Sequence, residues 1–71
     1  MLTAVERTLV YIMRVLKVSE ESIIGVMLSL RGNEEGQIML LEFIKSSNPN
    51  ELSESEIVVR AGEIVKQTQC G

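Results

Sequence analysis

The stretch IIGVMLSLRGNEEGQIMLLEFI, residues 23–44, contains two dense apolar runs separated by a short polar break. The break holds Gly32, which suits the end of a helix, and Asn33, which suits the start of one. We therefore interpret the stretch as two helices joined by a tight turn, a helical hairpin. So much apolar surface can form a core, a membrane segment, a helix-turn-helix reader of DNA or a surface for another chain.

The composition favours one small helical domain. With 71 residues the chain amounts to a single domain, residues 1–71, and we expect a short frayed tail at its C-terminus. Hydrophobic residues make up 45% of the chain, yet only Tyr11 and Phe43 are aromatic, whereas strand-rich domains usually contain more aromatic residues. We predict an all-α fold, a small bundle of four short helices. Domains of this size are marginally stable, and oligomerisation is one source of support.

Signals for the start and end of a helix occur four times. Good N-capping residues precede each candidate helix, namely Thr3, Ser19, Asn33 and Ser53. Thr3 and Ser53 are each followed by a Glu three residues later, which is the spacing of a capping box. The segment SSNPN, residues 46–50, interrupts the third helix because proline cannot continue it. We predict helices at about 3–17, 20–31, 34–46 and 54–68.

Enzymatic chemistry has few candidate residues here. An enzyme needs a nucleophile, a proton-transfer group, a metal or a cofactor site. The chain has no His and no Asp, and its single Cys, Cys70, is the penultimate residue. We therefore expect a non-enzymatic protein without catalytic residues, cofactor, metal or small-molecule substrate, in which Cys70 has no role.

The sequence also lacks signals for membrane insertion or export. The longest uncharged apolar segment, residues 23–30, is much shorter than the roughly 20 residues that span a bilayer. No small-residue cleavage site follows the apolar stretch at residues 9–18, so we expect no signal peptide. We expect a cytoplasmic protein that does not bind a membrane.

The charge distribution argues against nucleic acid as the main partner. The net charge is −3: residues 1–18 carry three cations and one acid (+2), and residues 19–71 carry four cations and nine glutamates (−5). A DNA-reading helix that began at Asn33 would place two glutamates first, where phosphates would be repelled. The alternative function that we retain is a small nucleic-acid-binding regulator that uses a basic stripe on helix one, formed by Arg7, Arg14 and Lys17.

The apolar faces are wider than a four-helix monomer needs. Helix four has an ordinary stripe, but the apolar residues of helix one cover well over half of its circumference, so we expect helix one to be the most buried. The apolar faces of helices two and three each span about 200° of the helix circumference, counted at 100° of rotation per residue. Helix two also has a strip of small residues, Ser22, Gly25 and Ser29, which suits either a close helix pair or a solvent-facing side.

A surplus of apolar surface suggests a protein partner. We expect a small helical protein–protein interaction module that self-associates as a homodimer or binds another protein. We expect helices one to three to form the partner surface. Helices two and three should supply its partner-binding residues, which we predict to come from Ile24, Met27, Leu28, Ile38, Met39 and Leu41.

Overall fold

A computed structural model describes residues 2–48 and 50–69. Four helices follow one another along the chain: α1 (Ala4–Val15), α2 (Glu20–Ser29), α3 (Glu34–Ser46) and α4 (Glu54–Gln69). Across these described segments there is no β-strand. The predicted all-α bundle of four short helices is therefore confirmed, with each boundary within two residues of its predicted position. Cys70 and the end of the predicted tail lie outside the described residues.

All four predicted capping residues act at helix starts. Each side chain accepts a hydrogen bond from the backbone N–H three residues later, and the capping residues are Thr3, Ser19, Asn33 and Ser53. At α1 the capping box is complete, because the Glu6 carboxylate also accepts from the Thr3 backbone N–H at 2.9 Å. These bonds satisfy N–H groups that the helix itself leaves without partners.

The end of α1 depends on an unusual residue, Lys17. Lys17 has a φ of 64°, in the left-handed region that glycine normally occupies. Its N–H donates to the Arg14 carbonyl, and the next N–H, of Val18, donates to the Met13 carbonyl at 2.9 Å. This is the Schellman arrangement, and the buried side chains of Val18 and Met13 accompany it. The helix therefore stops earlier than the predicted residue 17.

The helices form a ring in the order α1, α2, α4, α3, so α2 and α3 lie at opposite corners. Gln37 near the start of α3 contacts Glu6 near the start of α1, and Glu54 at the start of α4 contacts Ser19 at the start of α2. Helices α1 and α3 therefore run parallel, as do α2 and α4. The helical hairpin predicted for residues 23–44 is present as two helices joined by a tight turn, but these helices do not pack side by side. The turn reverses the direction of the chain, but it displaces α3 sideways onto α1 and α4.

The core lies where the four helices converge. It is aliphatic, as the composition predicted, and consists of Leu9, Met13, Val18, Ile23, Val26, Leu30, Leu40, Ile44, Ile57, Ala61 and Ile64. Helix α1 contributes only Leu9 and Met13 as fully buried residues, while Tyr11 is 69% exposed and Val15 is 60% exposed. The expectation that helix one is the most buried is therefore wrong. It packs against α2 and α3 only, so one apolar flank remains uncovered.

One polar side chain, Gln37, lies inside the bundle and joins three elements. Its amide nitrogen donates to the Leu30 carbonyl at 2.8 Å and lies 3.4 Å from a carboxylate oxygen of Glu6. The neighbouring Gly36 is also buried, and a Cβ there would lie only 2.7 Å from the Asn33 side chain and 3.0 Å from Leu30. Glycine and glutamine at these positions thus allow the end of α2 to meet the start of α3.

A carboxylate at the start of α4 holds the start of α2. The Ser22 hydroxyl donates to Glu54 at 2.6 Å, and the Ser19 backbone N–H donates to its other oxygen at 3.0 Å. These bonds, first that from Ser22 and then those from Ser19, lower the pKa of Glu54 below its ordinary value of 4.5. The contact links two helix N-termini that are more than 30 residues apart in sequence.

Candidate protein-binding surface on helices α1 and α2

Two large apolar side chains, Ile24 and Leu28, lie next to each other on the outer surface of α2. They are four residues apart and so occupy successive turns of one helix face. Ile24 is 55% exposed and Leu28 is 62% exposed, whereas Ile23, Val26 and Leu30 point into the core. Helix α2 has two neighbours, α1 and α4, and neither covers this face. The wide apolar face that the sequence predicted for helix two is therefore partly unburied.

The beginning of the chain and α1 extend this apolar surface. Leu2 is exposed and Val10 is partly buried, and both line a shallow open groove together with Ile24, Met27 and Leu28. We call the surface formed by these five residues the α1–α2 groove. Met27 occupies the groove floor, since it packs against the core, and its unbranched side chain can adjust to a partner.

Charged side chains stand at both ends of the α1–α2 groove. At one end, Nε of Arg14 lies 3.2 Å from a carboxylate oxygen of Glu20, and both side chains are exposed. At the other end are Arg31, which follows α2, and Glu6, whose carboxylate accepts hydrogen bonds from within the chain. An apolar centre with a charged rim is the usual anatomy of a protein interface.

The six predicted partner-binding residues do not form one surface. Three of them, Ile24, Met27 and Leu28, lie together in the α1–α2 groove. The other three are on α3, at the opposite corner of the bundle: Ile38 is 40% exposed, and Met39 and Leu41 are partly buried against the core. The structure therefore places the six residues on two separate surfaces, because α2 and α3 do not pack against each other, and their contact with a partner stays a prediction.

A second apolar surface lies between α1 and α3, where the sequence predicted buried residues. Tyr11 and Val15 project from α1 beside Leu16, and Leu52 of the α3–α4 connection closes one end. The sequence shows that the apolar residues of helix one, which include Tyr11 and Val15, cover more than half of its circumference, but it does not show that no helix covers these two. Their exposure could have been foreseen only from the order of the helices around the ring.

The basic stripe proposed for helix one is smaller in the structure than in the sequence. Arg14 is engaged by Glu20, which offsets its charge. Lys17 lies beyond the end of α1 and its backbone departs from helical geometry. Of the three residues, Arg7 thus remains as an exposed cation on α1. It forms no ion pair with any of the described residues.

The strip of small residues on α2 faces a groove beside α4. Ser22, Gly25 and Ser29 line this groove together with Val58 and Gly62 of α4. A Cβ built at Gly25 or Gly62 would have no atom of a neighbouring helix within 4 Å, so the glycines are not required for a close approach of the two backbones. Within this chain, the strip is a partly open side of α2 rather than a tight helix crossing.

Three further findings concern membrane spans, metal sites and similarity to known proteins. No helix in the described part of the chain has both the length and the apolar character needed to cross a bilayer. Within residues 2–48 and 50–69, no three His, Cys, Asp or Glu side chains are grouped so that they could hold a metal ion. The chain matches no protein-family model, no curated protein and no solved structure.

Proposed function

We propose that the protein is a small non-enzymatic interaction module that self-associates through the α1–α2 groove. The observation that carries the proposal is the pair Ile24 and Leu28, two large apolar side chains that are adjacent and more than half exposed. Contiguous exposed apolar surface is a common feature of protein interaction sites, which supports the proposal. A partner that covered both side chains would remove apolar area from water, which is the main driving force of protein association.

The aliphatic character of the groove fits a protein partner better than a polar ligand. Ile24, Leu28, Leu2 and Val10 offer no hydrogen-bonding atoms in their side chains, and the charged groups lie at the ends of the groove. Such a surface recognises another apolar surface by shape and excludes water from its centre. A helix from another chain would fit because ridges of side chains pack into grooves of this type.

Sedimentation velocity tests the proposal with a pair of matched variants. Leu28→Glu places a charge in the centre of the proposed interface, where burial of an unpaired carboxylate is unfavourable. Val59→Glu is the control, because Val59 on α4 has the same exposed fraction of 62% but lies outside the groove. We expect a dimeric wild-type protein, a folded monomeric Leu28→Glu variant and a dimeric Val59→Glu variant, with folding checked by circular dichroism.

Three outcomes would contradict the proposal. A wild-type protein that is monomeric at high micromolar concentration would exclude self-association as its function. A Leu28→Glu variant that remains dimeric would exclude the α1–α2 groove as the interface. If Ile38→Glu, but not Leu28→Glu, produced a monomer, the interface would lie on α3 instead.

A further inference from the structure

The charges along the outer face of α2 are arranged with opposite signs at its two ends. Glu20 and Glu21 stand in its first turn, Arg31 stands just after its last turn, and Ile24 and Leu28 lie between them. Glu21 and Arg31 are ten positions apart, which would correspond to about 15 Å if the helical rise continued past the end of α2 at Ser29. On α2 itself, a second copy that binds this face therefore meets glutamates at one end, an apolar middle and Arg31 at the other end.

The spacing of these residues is symmetric about Val26. Glu21 lies three residues before Ile24, and Arg31 lies three residues after Leu28. If two copies of α2 lie antiparallel with Ile24 opposite Leu28, each Glu21 falls opposite an Arg31. A parallel arrangement would instead place the glutamates of one copy beside those of the other and the two arginines beside each other, which is unfavourable.

We propose that the α1–α2 groove binds a second copy of this chain in an antiparallel, two-fold symmetric arrangement. In this arrangement Ile24 of one copy faces Leu28 of the other, and Glu21 faces Arg31 at both ends. The inference rests on the proposed self-association and adds to it the orientation and register of the two copies. A two-fold interface uses the same patch on both copies, so one self-complementary face is sufficient.

Intramolecular contacts leave the required charges accessible. Arg14 is engaged by Glu20, and the Glu6 carboxylate accepts hydrogen bonds from within its own chain. Glu21 and Arg31 are both exposed, and neither forms an ion pair within the described part of the chain. Charge pairs at the rim of an interface contribute mainly to orientation, so the apolar contact supplies the affinity and the charges select the antiparallel register.

Charge reversal distinguishes the antiparallel register from other arrangements. In a homodimer of the Glu21→Arg variant, each introduced cation would face Arg31 of the other copy. In a homodimer of Arg31→Glu, each introduced carboxylate would face Glu21. We expect the dissociation constant of either homodimer to rise about tenfold or more at low salt, where screening is weak. The control Glu42→Arg, an exposed position on α3, should leave dimerisation unchanged.

The decisive sample is the double variant that combines Glu21→Arg with Arg31→Glu, alone and mixed with the wild-type chain. In its antiparallel homodimer both ends pair opposite charges again, so we expect a dissociation constant close to that of the wild-type protein, whereas its antiparallel heterodimer with the wild-type chain brings like charges together at both ends. If both single variants associate weakly and the double variant does not recover, the antiparallel register is wrong. If the double variant associates better with the wild-type chain than with itself, the copies are parallel.

Failure of this inference is separable from failure of the proposed function. Single variants that dimerise as tightly as the wild-type protein would overturn the antiparallel register while leaving self-association intact. A wild-type chain that stays monomeric at high micromolar concentration would overturn both, and the groove would then be a site for a different protein.

Discussion

Replacement of the buried Gln37 by glutamate should destabilise the bundle at neutral pH and much less at acidic pH. The Gln37 side chain is only 3% exposed, and its amide nitrogen donates to the Leu30 carbonyl and faces a carboxylate oxygen of Glu6. A carboxylate at the same place has no hydrogen to donate and would face two oxygen acceptors. The folded chain should therefore favour the protonated form of the introduced carboxyl group.

The size of the effect follows from the cost of protonation. A glutamate in an unfolded chain has a pKa of about 4.3, so pH 7 lies about 2.7 pH units above it. At 1.36 kcal/mol per pH unit, the folded state loses up to about 3.7 kcal/mol if it accepts only the protonated form. The whole stability of a chain this size is about 4–11 kcal/mol. The midpoint of thermal unfolding should therefore fall by about 15–30 °C at pH 7.

The pH dependence has a definite sign. Because the folded-state pKa of the introduced carboxyl group is raised, the penalty is nearly absent below about pH 4.3 and grows as the pH rises above that value. Thermal unfolding followed by circular dichroism between pH 4 and pH 7 measures it. Gln67→Glu on α4 is the control, because Gln67 is exposed and its replacement should change stability by about 0.5 kcal/mol or less. A Gln37→Glu midpoint equal to that of the control at pH 7, or an equal loss at both pH values, would refute the reasoning.

Two further predictions concern the core and the contact between α2 and α4. Leu9 is fully buried, so Leu9→Ala should reduce the free energy of unfolding by about 2–5 kcal/mol in urea titrations, and an unchanged midpoint would remove α1 from the core. Glu54→Gln should remove the stability that the lowered pKa of Glu54 provides, which is present above pH 4.5 and lost as the pH falls through the folded-state pKa. Urea titrations should therefore show a difference from wild type at pH 7 that shrinks below pH 4.5, whereas a pH-independent difference would contradict the role of the carboxylate.

The helices were predictable because their signals are local. The side chain of an N-capping residue such as Thr3 or Ser19 acts on backbone groups within three residues of itself, so its role can be inferred from sequence. The end of α1 could not be inferred in the same way. Lys17 takes a backbone conformation that glycine usually occupies, so its residue type does not indicate the end of a helix. The feature that accompanies this end is the burial of Val18 and Met13.

The arrangement of the helices was not predictable from the same signals. A short turn at Gly32 and Asn33 fixes a reversal of chain direction but not the lateral position of the next helix. The bond from Gln37 to the Leu30 carbonyl and the contact of Glu54 with Ser22 join elements that are distant in sequence or in the bundle. The periodicity of apolar residues describes one helix at a time, so it contains no information about contacts between helices.

The candidate site was predictable only in part, because the width of an apolar face is a local property and its cover by another helix is not. The apolar face of helix two was correctly found to be wider than the core requires, and Ile24 and Leu28 are indeed exposed. The width of the apolar face of helix three likewise predicts Ile38 as a partner-binding residue, but the structure places it on a surface separate from Ile24 and Leu28. Tyr11 and Val15 were missed as exposed residues because the width of an apolar face does not reveal which part of it a neighbouring helix covers.

The central claim is that the α1–α2 groove binds a second copy with Ile24 opposite Leu28. Isotope-filtered nuclear Overhauser spectroscopy on an equal mixture of labelled and unlabelled chains observes contacts between copies directly. We predict intermolecular signals between the methyl groups of Ile24 and those of Leu28. Intermolecular signals from Tyr11 or Val59 in their place, or no intermolecular signal from the groove in a sample that sediments as a dimer, would contradict the account.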